Sequence, residues 1–252
     1  MGGVGENMSR KPYSWLVVVG MISLCIGLSG CGKNVDTVAE STVPIEIGEH
    51  VMYGSYQGEP VEWRVLDKKD GEILLLSEYG LDAQPFDTSG KSRVDWKDST
   101  IRKWLNDDFY NSAFSEKEKE NIVESKSEGF EEYNTSMNLT GGGKPYAYLE
   151  REIEDKVFLL SNTELCAYFS EDPYPGCYSD PYAHKELLCY PTAYAKQQLE
   201  TRYQTETCGW WLCNHVYEDD SVELVSAYGQ GSGTSRENIK ANTKSIAVRP
   251  AM

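Results

Sequence analysis

The sequence predicts an α+β domain with N-terminal β-strands, central helices and a C-terminal antiparallel β-sheet. Three observations carry that expectation. Residues 45–77 hold β-branched and aromatic segments divided by glycine turns, residues 99–109 show one apolar helical face, and strand-like composition returns from Gly209. Strands gathered at both ends with helices between them argue for α+β packing and against alternating parallel β-α-β units.

In chain order, strands are expected at residues 45–54, 60–67 and 72–77, with Gly58 and the Lys69-Asp70-Gly71 turn between them. Ser99 opens a helix on which Ile101, Trp104, Leu105 and Phe109 recur at i, i+3, i+4 and i+8. Ser115-Glu116-Lys117-Glu118 has capping-box spacing and starts a second short helix. Residues 125–149 are polar and contain Gly141-Gly142-Gly143, the composition of a long loop. A strand at 157–160 precedes a second capping box, Ser161-Asn162-Thr163-Glu164, which leads a helix through Phe169. Residues 173–181 are turn-rich, and residues 192–198 form a short helix after Pro191. The last strands are expected at 209–213, 222–228 and 245–248.

The N-terminus has a different character. Arg10 and Lys11 precede an apolar run from Trp15 to Leu28, and Leu28-Ser29-Gly30-Cys31 follows. This is a charged n-region, an h-region and a small-residue cleavage site. A run of about 14 residues is shorter than the roughly 20 that a membrane span needs. Cys31 supplies the thiol that a lipoprotein signal needs for attachment to diacylglycerol. Residues 1–30 are therefore expected to be a lipoprotein signal peptide, 31–44 a polar tether, and 45–252 one globular domain on the extracytoplasmic face of a bacterial cell membrane. Met8 is a possible alternative start.

Residues 1–30 contribute Arg10, Lys11 and Glu6, so the remainder carries 22 basic against 39 acidic side chains, a net charge of −17. Nucleic acid is thereby disfavoured as a partner. The acidic residues are spread along the chain, which suits a solvated surface.

Five cysteines follow the anchor: Cys166, Cys177, Cys189, Cys208 and Cys213. An odd number in an oxidising compartment leaves at least one thiol over, and their clustering allows one or two disulfides whose connectivity stays open. No Cys-x-x-Cys spacing points to zinc. A nucleophilic thiol would need His184 or His215 beside it, with no third orienting group in view. Gly-x-Ser-x-Gly, His-Glu-x-x-His and P-loop patterns are absent, and the tandem carboxylates Asp219-Asp220 and Glu131-Glu132 read as loop charges.

Trp63, Trp96, Trp104, Trp210 and Trp211 are expected in structural roles, each burying a large ring and needing a partner for its indole N–H. Adjacent residues on a strand point to opposite faces, so at most one of Trp210 and Trp211 is expected in a given core. Arg102 and Arg249, flanked by apolar residues, are expected to send their planar forks to a carboxylate or to backbone carbonyls.

Several stretches together resemble a known family. They are Val61-Glu62-Trp63-Arg64-Val65-Leu66, Trp96-Lys97-Asp98-Ser99-Thr100-Ile101-Arg102-Lys103-Trp104-Leu105-Asn106, Lys156-Val157-Phe158-Leu159-Leu160-Ser161, Pro191-Thr192-Ala193-Tyr194-Ala195, Gly209-Trp210-Trp211-Leu212 and Val248-Arg249-Pro250-Ala251. Over about residues 45–252 the chain is similar to a bacterial domain of unknown function found largely in secreted and lipid-anchored proteins of Gram-positive gut bacteria. The tryptophan pair with a closing Val-Arg-Pro-Ala segment also resembles C-type-lectin-like folds, including the formylglycine-generating-enzyme type. Cys213 stands where that pattern has an arginine after Trp-Trp-Leu, and the Ser-Pro-Gly that normally follows is missing. Formylglycine chemistry is not implied, because Cys208 and Cys213 match no motif that can be carried over.

The function expected is therefore a surface-displayed, lipid-anchored binding or scaffold module. Its C-terminal loops, 214–221 and 229–243, would present Asn214, His215, Tyr217, Tyr228, Arg236 and Asn238 to a glycan or a surface protein. The alternatives are an extracellular enzyme using a thiol or carboxylate in a C-terminal cleft, and an envelope-structural lipoprotein. No catalytic residue and no cofactor or metal is expected. Calcium, common in the loops of lectin-like folds, is compatible but not demanded by any spacing.

Overall fold

The fold is a computed structural model of the chain that describes residues 45–91, 94–125, 153–169, 185–200, 206–215, 222–229 and 241–252. It is mixed α and β, with two small antiparallel sheets and short helices, and one contiguous apolar core runs through both sheets. Among the described residues no helix is long and apolar enough to cross a membrane.

Strands β1 (His50–Tyr56), β2 (Glu59–Lys69) and β3 (Glu72–Ser77) form a meander in the order β1-β2-β3. Both hairpin turns carry consecutive positive φ angles, 53° and 84° at Gln57-Gly58 and 51° and 89° at Asp70-Gly71. That geometry follows the twist of the flanking strands and favours glycine second. β1 starts later than its composition suggested, because residues 45–49 form a turn in which Glu46 N–H donates to the Glu49 carboxylate, 2.8 Å away.

The β1–β2 register shifts between Met52 and Ser55. At this bulge Gly54, φ 70°, lies against the carbonyl of Ala113 and the Phe114 ring. Tyr53 Oη donates to the Glu118 carbonyl at 2.6 Å, and Gly54 N–H donates to the Glu118 carboxylate at 3.1 Å. The bulge thus docks the sheet onto the helical segment. Trp63 is fully buried beneath it, its indole donating to the Tyr53 carbonyl at 2.7 Å and its ring stacked on Phe114.

The helical segment begins where Ser99 caps it, accepting from Arg102 N–H. It runs as α1 (Thr100–Trp104), a π-helical turn (Leu105–Phe109) and α2 (Tyr110–Ala113) without a break. Ile101, Leu105 and Phe109 are buried, as the apolar spacing requires. Asn106 sits in the π turn and acts as a surrogate backbone. Its Oδ1 accepts from Lys156 and Val157 N–H at 3.0 and 3.2 Å, and its Nδ2 donates to the Val157 carbonyl at 2.9 Å. α3 (Glu116–Lys119) has the full capping box on Ser115 and Glu118.

Both arginines reach the kinds of partner expected. Arg102 Nε donates to Asp155 at 2.7 Å and Nη1 to the Lys97 carbonyl at 3.2 Å. Asp155 also accepts from the Trp96 indole at 2.8 Å. Arg249 is fully buried, with Nε donating to the Ser77 carbonyl at 2.8 Å and its guanidinium 5.0 Å from the Trp210 ring centroid.

Helix α4 (Asn162–Phe169) starts at the second capping box: Ser161 N–H donates to Glu164, and Glu164 N–H donates to Ser161 Oγ. α5 (Ala193–Gln198) is capped by Thr192. The last sheet is a hairpin of β4 (Trp210–His215) and β5 (Val222–Val225).

Two strand expectations change. Residues 157–160 and 245–248 form only isolated bridges, Phe158 with Ala251 in the first, and Ala247 with Trp210 and Val248 with Asp82 in the second, where the change of partner prevents a ladder. The expectation for the tryptophan pair also changes: Trp210 and Trp211 are both fully buried in the one core. Both faces of the hairpin are covered, so opposite-facing rings find protein on either side. Trp210 donates to the Leu187 carbonyl at 3.1 Å, and Trp211 donates to the Gln84 carbonyl at 3.0 Å and meets Phe86.

The two positive-φ glycines of the first hairpin separate strain from crowding. A Cβ at Gly54 would stand 2.6 Å from the Ala113 carbonyl oxygen, whereas a Cβ at Gly58 would meet nothing within 4 Å. Gly54→Ala should cost about 3 kcal/mol and Gly58→Ala about 1 kcal/mol. Urea unfolding of both variants checks this, and equal losses would show that the bulge is not docked as described.

Candidate functional site

Two polar constellations stand out from the core. The first lies where α4 meets the C-terminal hairpin. The β4–β5 register shifts between Trp211 and His215, so Leu212, Cys213 and Asn214 together oppose Glu223. Bulges of this kind aim side chains that a regular ladder would hold in alternation. Asn214 is buried, and its Oδ1 accepts from Asn162 N–H at 2.7 Å. Asn162 Nδ2 donates in turn to Glu223 at 2.9 Å. Cys213 Sγ is 3.9 Å from Asn214 Oδ1.

Glu223 is buried on a strand that is otherwise Val, Leu and Val. Burial pushes its carboxyl up to about 7, outweighing the opposing hydrogen bond from Asn162. A carboxyl in that range can hold or release a proton near neutral pH.

The second constellation is on the surface between β1, the helical segment and α5. Tyr56, Trp104 and Tyr194 are each half-buried. Tyr56 stands edge-on to Trp104 and to Tyr194, with ring centroids 6.3 and 6.0 Å away, and is backed by Phe109 at 5.0 Å. Its hydroxyl donates to Asp82 Oδ2 at 2.5 Å. Asp82 is buried and also accepts from Ala83 N–H at 2.6 Å and Gln84 Nε2 at 3.4 Å. Burial, with the neighbouring Asp82, pushes the Tyr56 phenol above its ordinary range, so it stays a neutral donor. The π turn places Trp104 at the edge of this cluster, the kind of helical irregularity that recurs at functional sites.

Among the residues expected to bind a ligand, Asn214 lies inside the fold, His215 ends β4, and Tyr228 stands 61% exposed on the turn after β5. Tyr217, Arg236 and Asn238 lie outside the described residues, as do Cys31, Cys177 and His184, together with the side chains of Cys166 and His215. Among the described residues no group of three or more His, Cys, Asp or Glu side chains could hold a metal ion. Glu223, Asp82, Tyr56 and Tyr194 were not singled out from sequence. For Glu223 and Asp82 a signal existed: each is one acid within an apolar run, Val222-Glu223-Leu224-Val225 and Leu81-Asp82-Ala83.

Residues 70–252, well over half the chain, match the family described as Domain of unknown function (DUF6273). The match begins at the β2–β3 turn and so leaves out the Val61–Leu66 stretch of the resemblance. No curated protein and no solved structure matches the chain.

Glu223 gives a signed pH dependence. Its folded pKa lies above the ordinary carboxylate value of 4.5, so the native state binds the extra proton. The associated stability is fully present below pH 4.5 and is lost as pH rises through about 7. Between pH 5 and pH 8 the wild type should lose on the order of 2 kcal/mol more than Glu223→Gln, whose side chain stays neutral. Urea unfolding of both at the two pH values checks this, and parallel losses would mean Glu223 titrates normally.

Proposed function

The chain belongs to the DUF6273 family, and from that premise and the geometry above we propose that it is a lipid-anchored extracytoplasmic binding module with a C-type-lectin-like α+β domain. The anchor rests on the N-terminal Arg10–Lys11, apolar run and Cys31 pattern. The fold likeness rests on the tryptophan pair and the Val-Arg-Pro-Ala segment, which lie together around the buried Arg249.

The observation that carries the binding role is the Tyr56, Trp104 and Tyr194 surface. These rings are half-exposed yet fixed, by edge-on packing and by the Tyr56–Asp82 hydrogen bond. A ligand therefore meets amphipathic rings that have already lost their freedom, which lowers the cost of binding. Half-buried aromatic faces beside hydroxyl and amide groups suit the C–H face and hydroxyls of a sugar ring. The net charge of −17 on residues 31–252 disfavours strongly anionic polymers. The preferred ligand is a neutral or zwitterionic cell-wall glycan fragment. The C-terminal loops, with His215, Tyr217, Tyr228, Arg236 and Asn238, form the other part of the proposed surface, whose use of calcium the chelator arm of the test below reads.

A second reading is favoured by one observation, the buried Glu223 carboxyl held near neutrality. On this reading the module also cleaves what it binds, with Glu223 as the proton donor. Glu223→Gln would then retain binding and lose turnover of the same fragments, measured by mass spectrometry.

The test of the binding role is an array of glycans and cell-wall fragments probed with the detergent-solubilised full chain, with calcium and with chelator. Specific binding should fall about tenfold or more in Trp104→Leu/Tyr194→Ala. A loss confined instead to Tyr217→Ala/Tyr228→Ala/Asn238→Ala would place recognition in the C-terminal loops. No binding under any condition sinks the glycan version.

A further inference from the structure

Cys189 and Cys208 face each other as an antiparallel bridge pair, and Cys208 N–H donates to the Cys189 carbonyl at 2.8 Å. Residues so paired have Cα atoms about 5.5 Å apart, near the usual separation in a disulfide. Their side chains lie on one side of the bridge. A Cβ built on Gly80 would stand 3.3 Å from Cys208 Sγ and 3.4 Å from Cys189 Sγ, and the Cys208 thiol donates to the Cys189 carbonyl at 3.4 Å. The tightest contact of that Cβ would be with Ala247 Cβ, at 2.8 Å, so a glycine is needed where the cysteine pair meets the chain end. Cys213 is buried further along β4, beside Asn214.

We propose that Cys189 and Cys208 form a cross-strand disulfide, closed by exchange with an oxidised dithiol protein or a small disulfide as the chain folds. The Cys189 thiolate attacks one sulfur of the incoming disulfide, forming a mixed disulfide and expelling a thiolate. Cys208 gives its proton to solvent and attacks the Cys189 sulfur, expelling the second thiolate. Two electrons pass from the cysteine pair to the incoming disulfide, and the released thiolates take up two protons.

In the folded chain the two reduced thiols are unequal. Burial works against the Cys189 thiolate, but the Cys208 hydrogen bond, the positive charge of Arg249 and the Gly80 N–H together hold its pKa below the ordinary thiol value. The shared hydrogen bond, together with burial, pushes the Cys208 thiol up. Both thiols are buried in the native fold, so exchange belongs to the folding chain and the finished bond is shielded. The ring it closes, about twenty residues long, encloses α5 and therefore Tyr194. The bond would hold one wall of the aromatic surface in place.

The export reading enters only as the source of oxidant, and the experiment separates the two. The purified, reduced full chain is refolded in a glutathione redox buffer, blocked with an alkylating agent and mapped by peptide mass spectrometry. A peptide pair linked through Cys189 and Cys208 is expected, absent from Cys189→Ser and from Cys208→Ser. The oxidised wild type should melt roughly 5–10 °C above its reduced form. Full alkylation of both thiols, or linkage of either to Cys166, Cys177 or Cys213, overturns the pairing. The same map on chain taken directly from bacterial membranes tests location. Linkage in the refolded protein with free thiols in the cell-derived protein upholds the pairing and overturns the export reading.

Discussion

The last six residues, Ala247 to Met252, hold the rest of the structure together. Their backbone exchanges hydrogen bonds with Leu75 and Ser77 of β3, with Leu81 and Asp82 after it, with Phe158, and with Gly209 and Trp211 at the start of the hairpin. A three-stranded meander and a two-stranded hairpin are each near the lower limit of what is stable alone. Here the chain end lies between them and gives both a shared edge. Ala247, Val248, Ala251 and Met252 are all fully buried, so the junction carries core as well as backbone bonds. Pro250 fits because the segment uses its carbonyl, which accepts from Ser77 N–H at 2.8 Å, and needs no donor there.

Arg249 in that segment is costly and therefore informative. A buried guanidinium must recover in contacts what it loses in hydration. It has the Ser77 carbonyl on Nε, the Trp210 face at 5.0 Å and Glu78 at 3.9 Å, while Nη1 and Nη2 have no hydrogen-bond partner. Glu78 is shared with Arg64, whose Nε lies 3.1 Å from it. Burial is the largest influence on its titration and works against the charged form, opposed by Cys189, Glu78 and Cys208. The arginine, the indole and the Glu78 carboxylate thus form one electrostatic unit beneath the joint of the two sheets. A lysine at this position could not lie flat on the ring or keep the Nε bond to Ser77.

What the sequence made legible was local. Ser99, Ser115 and Ser161 each cap the helix expected of them, because an N-cap depends on residues within three positions. Gly58 and Asp70-Gly71 marked hairpin turns for the same reason. The errors were non-local. Residues 245–248 read as a strand, but their partners are scattered from Asp82 to Trp210, so no ladder forms. The Trp210–Trp211 expectation assumed one covered face, and coverage from Leu187 on one side and Phe86 on the other depends on residues distant in sequence. Asn106 gave no signal, since an asparagine bridging to residues 156 and 157 looks in sequence like any polar helix position. At the site, Asn214 was found as a residue but read as a surface group, whereas the β4 bulge turns it inward onto Asn162.

Three buried carboxylates pin segments that are far apart in sequence, and their donors differ in a way that matters. Asp155 receives the Trp96 indole and the Arg102 guanidinium. Asp82 receives the Tyr56 phenol, the Ala83 N–H and the Gln84 amide. Glu223 is held by the Asn162 amide, and burial prevails over that bond. A carboxyl whose burial outweighs its one amide hydrogen bond keeps a choice of protonation state near neutral pH. That choice falls at the root of the hairpin whose loops carry Tyr217 and Tyr228. Adding or removing the Glu223 proton changes the charge that α4 and β4 are packed around, because Asn162 of α4 joins Glu223 to Asn214 of β4.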